Sequence, residues 1–154
     1  KRKSSMDNKE VISVLNDLIE TSKDGEEGFR TCAEDIKNAE LKALFVSRSQ
    51  ACASAAVELQ QVVRSLGGDP ETSTSVSADL HRRWVDLKSI ITGKDEESIL
   101  NECERGEDVA MKSYKNALSK DLPANIRSIV EKQFEGVQRN HDQVKALRNI
   151  ARAS

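Results

Sequence analysis

The chain has 154 residues, of which 37% are hydrophobic and 32% are charged, and its net charge is −2. A domain of this length can bury a hydrophobic core. Aromatic residues make up only 3% and proline occurs twice, a composition typical of aliphatic helical proteins. Because both signs of charge are mixed along every segment, we expect solvated helix faces and no nucleic-acid partner.

Cysteine spacing and apolar run lengths restrict the other classes of protein. Cys32, Cys52 and Cys103 are odd in number and form no CxxC motif, so they predict reduced packing residues in a cytoplasmic protein. No apolar run reaches the roughly 18 residues of a membrane span, and no signal peptide is recognisable. We expect a disordered tail at residues 1–7 and one bundle domain at residues 8–152.

The first predicted helix covers residues 8–36, and Asp7 or Asn8 can cap its start. Apolar and small residues recur along it at alternating steps of four and three, which is typical of a bundle seam. The seam consists of Val11, Leu15, Leu18, Ser22, Gly25, Phe29, Cys32 and Ile36.

The second predicted helix covers residues 40–66 and ends at Gly67-Gly68. The short link between the first two helices predicts antiparallel neighbours. Arg48 lies on the apolar face of the second helix, together with Leu41, Leu44, Phe45, Cys52, Ala55, Leu59, Val62, Val63 and Leu66.

A polar loop at residues 67–76 precedes a shorter predicted helix at residues 77–92. Trp84 is predicted to anchor this helix on the bundle, and His81 to supply a hydrogen bond beside it. Arg82 and Arg83 next to them are a candidate surface for an anionic partner.

The third predicted helix covers residues 95–120, with Asp95 as its cap, and the fourth begins at Pro123 and extends to residue 151. A helix of 27 residues is roughly 40 Å long. Residues 67–94 can cross that length, so the second and third helices can run parallel. The pattern predicts an all-α, ferritin-like four-helix bundle whose long crossover carries an extra shorter helix. Periodicity leaves open an up-down bundle with a fifth helix on its side.

Several short stretches between residues 8 and 150 carry a family resemblance. They are LNDLIE at 15–20, DGEEGFR at 24–30, EL at 58–59, LGG at 66–68, HRRW at 81–84, LK at 87–88, CERGED at 103–108, Tyr114, His141 and KALR at 145–148. In these stretches the chain resembles a bacterial four-helix-bundle family of the ferritin-like superfamily, a domain of unknown function. The resemblance implies a ferritin-like fold in a bacterial, cytoplasmic protein, and it implies no iron oxidation.

Glu107 lies in the middle of an apolar stripe of the third helix. A carboxylate facing a bundle core is costly unless it is paired, protonated or bound to a metal. A di-iron bundle needs an inward Glu from two helices and Glu-x-x-His from the other two. The candidate metal ligands here are Glu107, Glu104, Glu26 and His141. This set is too small for a complete di-iron centre in one chain.

Three interpretations of Glu107 remain open. In the first, Arg48 and Glu107 form a buried ion pair, and His141, Gln133 or Asn140 complete its hydrogen bonds. In the second, a degenerate or mononuclear site binds iron or manganese. An intersubunit site or a small ligand is a third possibility. Gly25 and Gly106, both on seams, are predicted to mark where the first and third helices approach closely.

We therefore expect a non-catalytic ferritin-like bundle without a cofactor that acts through self-association, as a homodimer, or through partner binding. The alternative is a stress-related protein that binds iron or manganese at an altered site. A third hypothesis places the partner surface at Arg82 and Arg83 on the crossover helix.

Overall fold

A computed structural model describes residues 6–36, 38–71 and 96–153 of the chain. Within them the chain forms four helices: α1 (Asn8–Asp35), α2 (Ala39–Ser65), α3 (Glu96–Leu118) and α4 (Ala124–Ala153). The predicted helix ends differ from these by no more than two residues. The predicted crossover helix, with His81, Arg82, Arg83 and Trp84, lies outside the described residues, and so does the predicted cap Asp95.

The ends of α1 and α2 are set by capping residues. The Asp7 carboxylate accepts a hydrogen bond from the Glu10 backbone N–H at 2.8 Å, and the Glu10 carboxylate accepts one from the Asp7 N–H. Asn38 caps α2 by accepting from the Leu41 N–H at 3.1 Å. Beyond α2, Gly67 takes a positive φ of 83°, and the Gly68 N–H donates to the carbonyl of Val63. The predicted glycine stop is therefore confirmed.

Two apolar clusters occupy opposite ends of the bundle. The Leu59 cluster consists of Val11, Leu15, Leu18, Ile19, Ala56, Leu59, Val63, Tyr114, Ala117, Leu122, Ile126 and Val130. The Phe45 cluster consists of Phe29, Cys32, Ala33, Ile36, Leu41, Phe45, Ile99, Leu100, Cys103 and Val144. Between the two clusters lies a layer that is rich in polar side chains and small residues.

Cluster membership fixes the directions of the helices. The C-terminal parts of α2 and α3 share the Leu59 cluster, through Val63 and Ala117, and their N-terminal parts share the Phe45 cluster, through Leu41 and Ile99. The helices α2 and α3 therefore run parallel, whereas α1 and α4 run the opposite way. Because α2 ends and α3 begins at opposite ends of the bundle, the arrangement is the predicted ferritin-like one, and the up-down alternative is wrong.

Each helix packs against two others. α1 contacts α2 and α3, and α4 contacts α3 and α2, so the pairs α1–α4 and α2–α3 lie across the diagonals of the bundle. No helix in the described part of the chain is long and apolar enough to cross a bilayer.

Candidate functional site

A buried ion pair lies across the middle of the bundle. Glu107 of α3 is 2% exposed, and Arg48 of α2 is 5% exposed. Arg48 donates from Nε and Nη2 to Oε2 of Glu107, both at 3.3 Å. The guanidinium also lies over the ring of Phe29, 5.4 Å from its centre. The two residues that the sequence places on inward faces thus contact each other across a diagonal of the bundle.

Burial changes the acid–base behaviour of Glu107. Loss of hydration raises the pKa of the Glu107 carboxyl from 4.5 to about 7, and the nearby Arg48 guanidinium opposes that rise. The second carboxylate oxygen, Oε1, is buried and accepts no hydrogen bond from the described residues. Glu107 therefore keeps its proton to a higher pH than an exposed glutamate does, and its Oε1 has no donor among the described residues.

A chain of hydrogen bonds crosses the bundle below the ion pair. The Tyr114 hydroxyl lies 3.3 Å from the Ser22 hydroxyl and donates to Oε1 of Gln133 at 2.8 Å. Nε2 of Gln133 then donates to Oε1 of Glu58 at 2.7 Å and to the Ala55 carbonyl at 3.3 Å. These five residues come from all four helices, so the chain fixes the helices relative to one another at this level.

A cavity of about 520 Å³ lies between the ion pair and this chain of hydrogen bonds. All four helices line it, and its walls include small residues: Gly25 from α1, Ala51 and Ala55 from α2, Gly106 and Ala110 from α3, and Gly136 from α4. Glu58, Lys132 and Arg139 also line it and are solvent-exposed. Since these exposed residues belong to α2 and α4, the cavity opens between those two helices.

Cys52 of α2 lines the cavity next to Gly25 of α1. A Cβ atom added at Gly25 would lie 2.8 Å from Sγ of Cys52, so this glycine marks the close approach of α1 to α2. The expectation that Gly25 marks the approach of the first and third helices is therefore wrong. Burial raises the pKa of the Cys52 thiol to about 11, which keeps it protonated and unreactive.

Of the four candidate metal ligands, His141 and Glu104 lie together, whereas Glu26 and Glu107 have other partners. Nε2 of His141 lies 2.6 Å from Oδ1 of Asp108 and 3.5 Å from Oε2 of Glu104. Glu104 is also paired with Arg148. Glu26 lies 4.0 Å from the Lys23 ammonium at the surface of α1. Glu107 contacts Arg48, as described above.

The donor set of a di-iron centre does not fit this arrangement. Among the described residues, no group of three or more His, Cys, Asp and Glu side chains is placed to hold a metal ion. In a di-iron centre a bridging carboxylate binds the metal ions. Here the guanidinium of Arg48 binds one oxygen of Glu107 instead.

Three residues were expected to complete the hydrogen bonds of the ion pair, and each of them contacts another group instead. Gln133 is held by Tyr114 and Glu58, and Nδ2 of Asn140 donates to the Gly136 carbonyl one turn earlier in α4. His141 is turned toward Asp108. The expectation that one of these three completes the hydrogen bonds of Glu107 is therefore wrong.

Sequence reasoning did not find the cavity or the hydrogen-bond chain. A signal for the cavity was present in Gly136, which interrupts the polar and apolar pattern of α4 without ending the helix. Tyr114 and Gln133 carried no signal of their pairing, because neither spacing nor residue type connects two separate helices.

Both the sequence and the fold of this chain match those of known proteins. A family model described as a domain of unknown function, DUF2383, matches residues 10–120. A bacterioferritin-related protein from Bacteroides fragilis, described as a dodecameric thioferritin, superimposes with a TM-score of 0.75 at 16% identity over 96% of this chain and 90% of its own.

A two-domain protein from Anabaena variabilis, with DJ-1/ThiJ/PfpI-like and ferritin-like domains, has a TM-score of 0.76 at 16% identity over 94% of this chain. This chain spans 40% of the length of that protein. Among curated proteins there is no match. The parallel α2 and α3, the family match and the structural likeness agree: the chain belongs to the DUF2383 family of domains of unknown function and has the ferritin-like fold.

Proposed function

We propose that this chain is a non-catalytic ferritin-like bundle that acts through self-association, with a second copy of itself as the partner. Two observations support the proposal. Arg48 holds the central carboxylate Glu107 in an ion pair, and the outer face of α2 is unusually free of charge.

The uncharged face of α2 is the observation that carries the proposal. Between Ala43 and Val57 the sequence contains one charged residue, Arg48, and that residue is turned into the bundle. Val46 is 41% exposed and Val57 is 51% exposed. They are eleven residues apart, which is about three helical turns, so they lie on the same side of α2.

This face suits a two-fold interface. In an antiparallel pairing of two α2 helices, Val46 of one copy approaches Val57 of the other, with Gln50 and Ala53 near the axis. Small and uncharged side chains allow the two helices to approach closely. We therefore propose a homodimer as the basic unit, and the dodecameric relative from Bacteroides fragilis supports assembly of this kind. Three free thiols in the chain are consistent with a cytoplasmic location, which we also propose.

Sedimentation equilibrium tests the self-association. We expect the unmodified chain to sediment as a dimer or a larger assembly, and the double variant Val46→Glu, Val57→Glu to sediment as a folded monomer. The matched control is Ile150→Glu, since Ile150 is exposed on α4. A monomeric unmodified chain, or dissociation by the control but not by the double variant, contradicts the proposal.

The alternative function is binding of iron or manganese in a stress-related role. It is favoured by His141, whose Nε2 lies close to carboxylate oxygens of Asp108 and Glu104. Glu107 and Glu26 are the other candidate ligands. Metal analysis of protein purified without chelator separates the two functions: iron or manganese near one or two per chain, lost in His141→Ala or Glu107→Ala, favours the alternative.

A further inference from the structure

The central cavity has the dimensions of a ligand site. Its volume of about 520 Å³ falls within the roughly 300–1,000 Å³ of pockets that bind small molecules. It lies between the two well-packed clusters and opens to solvent between α2 and α4. The facing positions on all four helices are occupied by small residues, which keep the space open together.

Two glycines of the cavity wall, Gly25 and Gly136, have different surroundings. Gly25 lies at the close approach of α1 to α2, because a Cβ there would be 2.8 Å from Sγ of Cys52 and this sulfur atom would have to move. A Cβ at Gly136 would meet nothing nearer than Nη2 of Arg139, at 3.7 Å. Glycine inside a helix is less stable than alanine. No described residue of another helix packs closely against Gly136, so close packing does not explain this glycine. The absence of a side chain at Gly136 leaves the cavity open.

One buried polar atom of a residue in the cavity wall lacks a partner among the described residues. Of the buried side-chain atoms of described residues that line the cavity, Oε1 of Glu107 is the one without a hydrogen bond. The other oxygen of this carboxylate is held by Arg48, so Oε1 is fixed in position. A buried carboxylate oxygen without a donor is costly, and a donor on a bound molecule removes that cost.

From this geometry we infer that the cavity binds a neutral, mostly apolar small molecule whose single hydroxyl or amide N–H donates to Oε1 of Glu107. The opposite charges of Arg48 and Glu107 in the cavity wall disfavour charged ligands. A cationic ligand would lie beside the Arg48 guanidinium, and an anionic ligand beside the Glu107 carboxylate. The molecule enters between α2 and α4, and this binding does not depend on the proposed self-association.

A matched pair of probes tests the inference: 2-naphthol, which has one donor, and 2-methoxynaphthalene, which has none. Calorimetric titration at about pH 8 keeps Glu107 mainly ionised. We expect saturable binding of 2-naphthol at one site per chain and roughly tenfold to hundredfold weaker binding of 2-methoxynaphthalene. Equal affinities, or no saturable binding of either probe, overturn the inference.

Three variants assign the binding to this cavity. Gly136→Leu fills the cavity and should abolish 2-naphthol binding, while Gly136→Ala adds one methyl group and should retain it. Glu107→Gln can keep the contact with Arg48 and present an amide N–H to the cavity, so the preference for 2-naphthol should fall to nearly one. Retained affinity in a folded Gly136→Leu variant, or an unchanged preference in Glu107→Gln, contradicts the assignment.

Discussion

Arg48 donates two hydrogen bonds to the same oxygen of Glu107, Oε2, at 3.3 Å each. Arginine commonly pairs with a carboxylate through two parallel bonds to two oxygens. The arrangement here leaves Oε1, on a residue that lines the cavity, without a donor among the described residues. The ion pair is therefore incompletely satisfied at the centre of the bundle, and this property leads to two of the predictions below.

The first prediction concerns the stability of the pair. Arg48→Met removes the cation that lowers the pKa of the Glu107 carboxyl, so this carboxyl takes up a proton. The free energy of unfolding should therefore change little below pH 7 and be lower than that of the unmodified chain by roughly 3 kcal/mol at about pH 9. The double variant Arg48→Met, Glu107→Leu replaces the pair with apolar side chains and should be as stable as the unmodified chain or more so, by up to about 4 kcal/mol. Urea unfolding followed by circular dichroism measures both.

The matched control is Arg30→Met, because Arg30 lies exposed on the outside of α1. It should change the free energy of unfolding by less than about 0.5 kcal/mol. If the double variant loses as much stability as the two single variants added together, Arg48 and Glu107 are not coupled, and the role of the pair described here is wrong.

The second prediction concerns pH. Burial raises the pKa of Glu107 from 4.5 to about 7. Between these values the unfolded chain has released the Glu107 proton and the folded chain still holds it, so the free energy of unfolding falls as pH rises through this window. Relative to Glu107→Gln, the unmodified chain should lose roughly 3 kcal/mol across the window and stay level on either side. If the difference in unfolding free energy between the unmodified chain and Glu107→Gln does not change with pH, this prediction is wrong.

The third prediction concerns Tyr114, whose hydroxyl donates to Gln133. Tyr114→Phe removes this bond and leaves Oε1 of Gln133 without its donor, which should cost about 1–2 kcal/mol of unfolding free energy. Ser22→Ala, at the other side of the hydroxyl, should cost less, because its contact is longer at 3.3 Å.

Spectroscopy tests the environment of Tyr114 independently. Burial raises the pKa of its phenol from 10 to about 12. Because the chain contains one tyrosine, the near-ultraviolet phenolate band reports this residue alone. In the folded chain the band should grow near pH 12, and above pH 10 the free energy of unfolding should fall. A phenolate that forms near pH 10 in the folded state contradicts the buried contact.

Local patterns were sufficient to predict the helices and their ends. The seam spacing of α1, the Asp7 cap and the Gly67-Gly68 stop are short-range features, and each specifies its local geometry by itself. The long connection in sequence between α2 and α3 allows these helices to run parallel. Only the clusters that they share, around Val63 and Leu41, show that they do.

The candidate site was predictable only in part. Arg48 and Glu107 each lie on an apolar face of their own helix, so both were recognisable as inward charges. The partners of Gln133 and His141 depend on how α4 is rotated against α2 and α3, which periodicity along one helix does not determine. The cavity was missed for the same reason, because it is formed by small residues that meet only after four helices assemble.

The last prediction compares two glycines in helix interiors. Alanine in place of glycine normally stabilises a helix by about 1 kcal/mol. Gly136→Ala should realise most of this gain, since its added Cβ lies 3.7 Å from Arg139 Nη2. Gly25→Ala should instead lower the free energy of unfolding by about 1–3 kcal/mol, because its Cβ would lie 2.8 Å from Sγ of Cys52 and the buried Cys52 side chain must move to make room.

A second substitution isolates the cause at Gly25. Cys52→Ala removes the sulfur atom that the new Cβ would meet, so it should rescue most of the loss caused by Gly25→Ala, whereas it should show no coupling to Gly136→Ala. Thermal unfolding of the single and double variants measures both couplings. If Cys52→Ala fails to rescue Gly25→Ala, the close approach of α1 to α2 at this level does not depend on the Gly25–Cys52 contact. In that case the small residues on the cavity wall would all keep space open, and Gly25 would have no separate packing role.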